Sequence, residues 1–236
     1  MKAVVMAGGK GTRLRPYTAT FPKPLVPIGD KPILEILLGQ LARAGVTEVL
    51  LAVSHLRHII EAFFGGGERF GLKISYVFEE RPLGTAGPIG NAIDRLGEDF
   101  VVTNGDLLTT LDIGGMIASH REHGAAATVG SFRREVKSDF GILQVDGEMR
   151  LTGYLEKPVD THLVSMGLYV LSREAVRPHV APETPLDMPD LLLRMLAAEE
   201  RVDCFSEDCL WLDIGRPQDY ALAQELWEQD ATRFEG

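Results

Sequence analysis

Gly8, Gly9 and Gly11 follow a short apolar run, and Lys10, Arg13, Arg15 and Lys23 stand among or soon after them. Glycines let the backbone approach a ligand and turn successive N–H groups toward it, and nearby cations add charge, so this segment suits an anion such as phosphate. It is neither of the two common glycine-rich phosphate loops. Gly-x-Gly-x-x-Gly is absent, and no Gly-Lys-Ser or Gly-Lys-Thr closes it. A glycine pair alone reads equally well as a plain turn with solvated basic residues. Charge placement adds weight. The 236 residues carry 24 basic and 34 acidic side chains, a net charge of −10, yet residues 1 to 31 hold six cations against the single acid Asp30. That stretch is +5 and the remainder −15.

Periodicity indicates the elements that must hold this loop. KAVVMA at 2 to 7 has the continuous apolar pattern of a buried parallel strand. Asp30 is placed to cap a helix with Pro32 in its first turn and Gly45 at its end. Strands at 47 to 53, 72 to 78 and 100 to 104 alternate with helices at 55 to 64, about 86 to 96 and about 112 to 123. Such alternation implies a mostly parallel α/β sheet covered on both faces, with ligands beyond the carboxyl ends of its strands. The loops after residues 7, 78 and 104 then share one crevice. Beyond residue 124 hairpin-like runs add antiparallel or mixed strands, with Asp146-Gly147 as a tight turn. A helix near 187 to 198, strands at 202 to 205 and 210 to 212 and a helix from about 216 to 229 follow. One domain over 1-236 is expected, a nucleotide-binding half (1-124) and an acceptor half (125-236).

With 45% hydrophobic and 25% charged residues the chain can bury a core. No apolar run approaches the roughly 18 residues of a membrane span, and the acidic balance argues against a nucleic-acid partner. Cys204 and Cys209 make no disulfide framework or zinc site, which with the absence of a leader segment points to the cytoplasm.

GGKGTRLRPYTATFPKPLVPI at 8 to 28 resembles the N-terminal signature of the sugar-phosphate nucleotidylyltransferases, closest to the mannose- and heptose-1-phosphate guanylyltransferase-like catalytic domains. The resemblance continues through EERPLGTAGPIG at 79 to 90, similar to the base-reading loop, and TNGD at 103 to 106, similar to a metal-binding strand end. LEKP at 155 to 158 is similar to a sugar-phosphate segment, and WLDIGRPQDY at 211 to 220 resembles a second metal site. It implies a Rossmann-like fold and transfer of a nucleotidyl group from a nucleoside triphosphate to a sugar 1-phosphate, releasing pyrophosphate. A C-terminal β-helix of hexapeptide repeats, carried by long members, is not expected here. A homodimer is left open.

The resemblance assigns the nucleotide to Gly8, Gly9, Gly11, Thr12, Arg13, Glu79, Gly84 and Thr85. It assigns catalysis to Arg13, Lys23 and Asp106, a Mg²⁺ to Asp106 and Asp213, and the sugar phosphate to Gly141, Glu156, Lys157 and Gly167. The chemistry agrees. A sugar phosphate has its second pKa near 6, so it attacks already ionised, and positioning and electrostatics must overcome repulsion between two anions. Cations and a hard metal do that. Two aspartates 107 residues apart carry no such meaning without the motifs around them.

Glu79 bears on the base. A carboxylate only accepts hydrogen bonds, and guanine offers adjacent N1–H and N2–H₂ donors, so GTP is favoured over UTP or dTTP. Ser165-Met166-Gly167 replaces the Asn-Ala-Gly of many relatives, which opens the acceptor to a heptose, an amino sugar or a cyclitol phosphate as well as a hexose. A glycosyltransferase using a finished nucleotide-sugar would carry Asp-x-Asp where Asn104-Gly105-Asp106 stands, and a silent subunit would lack Arg13, Lys23, Asp106 or Asp213. The pairs His55/His58 and His120/His123 read as exposed helix histidines, Trp211 as packing under the metal strand, and Trp227 as an anchor for the last helix.

Overall fold

Successive residues of the first strand face two different cores. In a computed structural model describing residues 1–9, 21–54 and 56–235, β1 (Lys2–Met6) sends Ala3 and Val5 to one side of the central sheet and Val4 to the other. This is the period-two alternation of a strand buried on both faces. Around it lie β4 (Glu48–Val53), β5 (Lys73–Phe78) and β6 (Asp99–Asn104), all parallel. β11 (Val159–Ser172) joins β6 antiparallel, then β8 (Ala127–Lys137) and β12 (Val202–Phe205) complete seven strands in the order β12-β8-β11-β6-β1-β4-β5. The mostly parallel nucleus with antiparallel additions after residue 124 is the architecture the periodicity predicts.

One face is covered by α1 (Ile33–Arg43), α2 (Arg57–Phe64) and α4 (Ile113–His123), the other by α3 (Gly87–Ala92) and α6 (Met188–Ala197). The two-residue β2 (Pro27–Ile28) and β3 (Lys31–Pro32) form a hairpin whose turn contains Asp30. The expected Asp30 cap is therefore corrected: Pro32 occupies the N-cap of α1 with no side-chain cap. The expected helix over 86 to 96 ends as α-helix at Ala92 and finishes in a 3₁₀ turn, Ile93–Arg95. His120 is corrected too. It is buried, with Nδ1 2.9 Å from Thr128 Oγ1 and Nε2 3.6 Å from Asp99, and burial lowers its pKa against the attraction of that carboxylate.

A third core fixes the far wall of the site. Antiparallel β7 (Leu107–Thr109) and β13 (Trp211–Asp213) pack with α7 (Pro217–Asp230) and α8 (Thr232–Glu235) over Ile28, Leu212, Ile214, Trp227 and Phe234. Leu212 and Ile214 point inward, so Asp213 between them faces out. Trp227 stacks on Phe234, 6.2 Å between centroids. A shorter ladder, β9 (Ile142–Val145) with β10 (Leu151–Leu155), stands apart from the main sheet, and α5 (Arg173–Val176) follows β11. Cys204 and Cys209 are free, and no helix among the described residues is long and apolar enough to cross a membrane.

Gly29, in the β2–β3 turn, has φ +59° and lies against the Trp227 indole, so that a Cβ would overlap the ring. Gly29→Ala combines left-handed strain with overpacking and is expected to destabilise by about 2–4 kcal/mol. Urea unfolding checks this; an unchanged midpoint would show that the hairpin does not hold α7.

Candidate active site

Lys23 lies in a 3₁₀ turn, Lys23–Leu25, flanked by Pro22 and Pro24, whose fixed φ stiffens the chain there. Its side chain is buried and its ammonium is held by carboxylates. Lys23 Nζ donates to Asp106 Oδ2 and lies 4.0 Å from Asp213 Oδ1. A buried charge without partners costs several kcal/mol, so this ammonium is tolerated because two anions meet it. Asp106 follows β6 and precedes β7; the Ile214 N–H approaches its carbonyl at 3.4 Å, and the Gly215 N–H donates to Asp213 Oδ1 at 2.9 Å. Three segments remote in sequence thus converge on one cation.

Beside them opens a cavity of about 370 Å³, lined by Thr85, Asn104, Asp106, Gly167, Trp211 and Asp213 among others. Its floor is a bulge in β11, where pairing with β8 shifts between Ser165 and Tyr169. Gly167, at φ +78°, packs so closely on Asn104 that a side chain there would strike the amide. Ser165 Oγ and Tyr169 Oη are 2.8 Å apart.

The elements around the loop after β5 meet separately. Ser54 Oγ donates to the Gly8 carbonyl at 2.6 Å, and a Cβ on Gly8 would come within 3.2 Å of Glu79 Oε1. Glu79 accepts the Leu83 N–H at 3.0 Å and is only 9% exposed. Burial raises its pKa above the ordinary carboxylate value; the Leu83 N–H opposes this and Glu183 adds to it. Gly84, at φ +78°, leaves no room for a Cβ, which would sit 2.6 Å from Asp187 Oδ1. Thr85 donates its N–H and hydroxyl to Asp187 at 3.0 and 3.3 Å, and its hydroxyl accepts the Met188 N–H at 2.8 Å.

The structure therefore brings Lys23, Asp106 and Asp213 together, sets Thr85 and Gly167 on the same cavity, and places Glu79 close to Gly8. Gly9 ends the first described segment, whereas Lys10, Gly11, Thr12, Arg13 and Arg15, like His55, lie outside the described residues. Gly141, Glu156 and Lys157 are not in the lining of the cavity. Gly141 abuts the Tyr154 hydroxyl, which donates to Glu156 Oε2 at 3.0 Å. Sequence reasoning missed Ser54, Tyr169 and Asp187, which match no motif, and read Trp211 as packing only. Trp211 lies 5.6 Å from Phe132, ring to ring, and also lines the cavity.

This arrangement of a glycine-ended strand, a paired lysine and two aspartates coincides with a match of residues 2–230 to the family described as Nucleotidyl transferase. The chain belongs to that family. Mannose-1-phosphate guanylyltransferase of Mycobacterium tuberculosis is 36% identical over 222 residues, 92% of this chain and 62% of that protein. UTP--glucose-1-phosphate uridylyltransferase of Synechocystis is 34% identical over 239 residues, 93% of this chain and 61% of its own length. The chain thus spans about three-fifths of these curated nucleotidyl transferases. The crystal structure of HddC from Yersinia pseudotuberculosis complexed with GMP-PN superposes with a TM-score of 0.73 at 28% identity, covering 96% of this chain and 99% of that one.

A carboxyl whose folded pKa is raised contributes stability that is complete below its unfolded pKa and lost as pH rises through the folded value. The Glu79→Gln variant should therefore gain stability relative to the unsubstituted protein as pH rises above the ordinary carboxylate range. Urea midpoints across that range check the trend, and a constant difference would show that Glu79 titrates as an exposed carboxyl.

Proposed function

We propose that this nucleotidyl transferase joins a nucleoside triphosphate, GTP in preference, to a sugar 1-phosphate and releases pyrophosphate. The observation that carries the reading is Lys23 Nζ paired with Asp106 and near Asp213, two carboxylates that line the cavity. A cation there is placed to bridge the α-phosphate and the incoming sugar phosphate, where repulsion between the reactants is greatest. The attacking oxygen is ionised at neutral pH, so no side chain need remove a proton. Arg13 is assigned the charge developing on the leaving phosphates.

The two aspartates suit Mg²⁺. Both offer oxygen, they flank neighbouring strands, and they already converge on one positive charge. Among the described residues no third His, Cys, Asp or Glu joins a cluster, which leaves the remaining positions to phosphate oxygens and water, as that ion prefers. When bound, the ion would neutralise phosphate charge.

Gly8, Gly9, Gly11, Thr12, Gly84 and Thr85 are assigned to the nucleotide, Gly167 to the sugar beside Asn104, and Gly141, Glu156 and Lys157 to the sugar phosphate. Glu79, held against Gly8, supports guanine because its carboxylate accepts from adjacent donors. The similarity to guanylyltransferases and to HddC with GMP-PN points the same way. Uridylyl transfer is the second reading, favoured by the likeness to the Synechocystis uridylyltransferase. A glycosyltransferase is weaker, since Asn104-Gly105-Asp106 is not Asp-x-Asp.

Incubation with Mg²⁺, each common nucleoside triphosphate and a panel of sugar 1-phosphates should release pyrophosphate, fastest with GTP; no release with any pair defeats the proposal. Asp106→Asn should lower kcat by about 10²–10³-fold or more. Near-normal turnover would remove Asp106 from the reaction. For Glu79→Gln the ratio of kcat/KM for GTP over UTP should fall, and an unchanged ratio would place base selection elsewhere.

A further inference from the structure

Gly84, Gly87 and Gly90 recur at a spacing of three, and all three face one segment, residues 181 to 187. A Cβ on Gly84 would lie 2.6 Å from the Leu186 carbonyl oxygen, one on Gly87 2.8 Å from the Thr184 carbonyl oxygen, and one on Gly90 would overlap the Ala181 carbonyl. Glycine lets two backbones approach that closely. The segment comes from the second half of the chain and lies as a strap over the loop after β5 and the start of α3. Hydrogen bonds hold it there. The Ala86 and Gly87 N–H groups both donate to the Leu186 carbonyl at 2.9 Å, and the Leu186 N–H donates to the Leu83 carbonyl at 2.9 Å. The Asn91 amide donates to Glu183 Oε1 and accepts the Glu183 N–H, each at 2.7 Å, which secures Glu183 at φ +54°. Leu186 and Met188 are buried in the core that also takes Ala86 and Ile89, so the strap is anchored on both sides of Asp187.

Asp187 occupies the N-cap of α6, yet its carboxylate makes no capping bond there. An aspartate in that place ordinarily accepts an N–H of its own helix. Here Oδ1 instead accepts the N–H and hydroxyl of Thr85, 102 residues away in sequence, and the Thr85 hydroxyl accepts the first N–H of α6, from Met188, at 2.8 Å. The loop and the helix thus cap each other, a reciprocal exchange of the capping-box kind made between two segments. We infer, resting on the function proposed above, that Asp187 is a positioning residue for the nucleotide: it holds the loop after β5 in the shape that receives the triphosphate. Thr85 serves that shape, because its N–H and hydroxyl are already engaged by the strap. The same strap reaches Glu79, since Leu83 offers its carbonyl to Leu186 and its N–H to Glu79 Oε2. The loop is ordered before a ligand arrives, so loss of Asp187 is felt in nucleotide binding rather than in the chemical step.

Calorimetric titration of the whole chain with GTP, and with UTP in parallel, measures binding apart from turnover, and steady-state kinetics with Mg²⁺ and a sugar 1-phosphate measure KM and kcat. Asp187→Ala should raise both Kd and KM for the triphosphate about tenfold or more and leave kcat at saturation within about threefold. Asp187→Asn keeps an oxygen that accepts from Thr85 and should return both constants to within about threefold of the unsubstituted protein. Without ligand, the amides of Thr85 and Met188 should exchange hydrogen faster in Asp187→Ala and not in Asp187→Asn. Should Asp187→Ala fail to fold, Thr85→Val removes the hydroxyl bonds from the other side and should raise Kd likewise. A fall in kcat with KM unchanged, an Asn variant as impaired as the Ala variant, or nucleotide affinity unchanged by Asp187→Ala or by Thr85→Val would each overturn the assignment. An unsubstituted protein that shows these binding differences but releases no pyrophosphate would defeat the transfer reading and leave Asp187 its role, whereas one that binds neither triphosphate would defeat both.

Discussion

A buried ammonium can exist in this molecule only because two carboxylates from distant parts of the chain are brought to it. Lys23, Asp106 and Asp213 have no local reason to meet. Their meeting requires β1 beside β6, so that the loops after both open on one edge, and it requires β7 to pair with β13 in the register that sets Leu107 across from Asp213. Removing either carboxylate would leave a largely desolvated ammonium with one partner fewer, which is unfavourable in direction. The packing around β13 therefore serves the electrostatics as well as the core. Leu212 and Ile214 are buried on either side of Asp213, and the period of a strand then turns the carboxylate outward.

The sheet was legible because its strands are short apolar runs separated by helical patterns, and strong periodicity survives tertiary context. What was not legible followed from contacts that no spacing reveals. Asp30 looks like a helix cap, yet Gly29 can take a left-handed turn beneath Trp227, and the chain makes a hairpin before α1 begins. His120 stands in a helix of modest amphipathicity, and only the fold shows that Thr128 and Asp99 are ready to receive it. In the site, Lys23, Asp106 and Asp213 were readable through motifs in which they sit. Asp187 was not, since it acts by holding Thr85 in place from another element.

That last contact shows how the loop after β5 is preorganised. Thr85 spends its N–H and hydroxyl on Asp187, Leu83 gives its N–H to Glu79, and Ser54 secures the Gly8 carbonyl. Each bond is between segments far apart in sequence or across a tight turn, so the loop after β5 enters the crevice in one conformation. Binding energy from a ligand there then need not be used to order it. The cavity beside Asp106 and Asp213 is built differently. A bulge in β11, a left-handed Gly167 and a hydroxyl pair, Ser165 with Tyr169, line a cavity with few charged groups beyond the two aspartates.

The uneven charge of the chain follows from the same division. A protein of net charge −10 is a poor long-range attractor for anions, yet its first 31 residues are +5 and one of those cations is held by Asp106, which lines the cavity. With a Debye length of about 8 Å at physiological ionic strength, the distant acids are largely screened from a ligand in the crevice. Field strength at the site is then decided by the few groups within that distance. In the proposed reaction Lys23 would already be in place before a phosphate arrives, and with its aspartate partners proposed to take a divalent cation the ammonium would exchange one set of anionic partners for another without leaving its turn. Such an exchange needs no change in the fold of β6, β7 or β13, since all three groups are carried by short, well-packed segments rather than by long mobile loops.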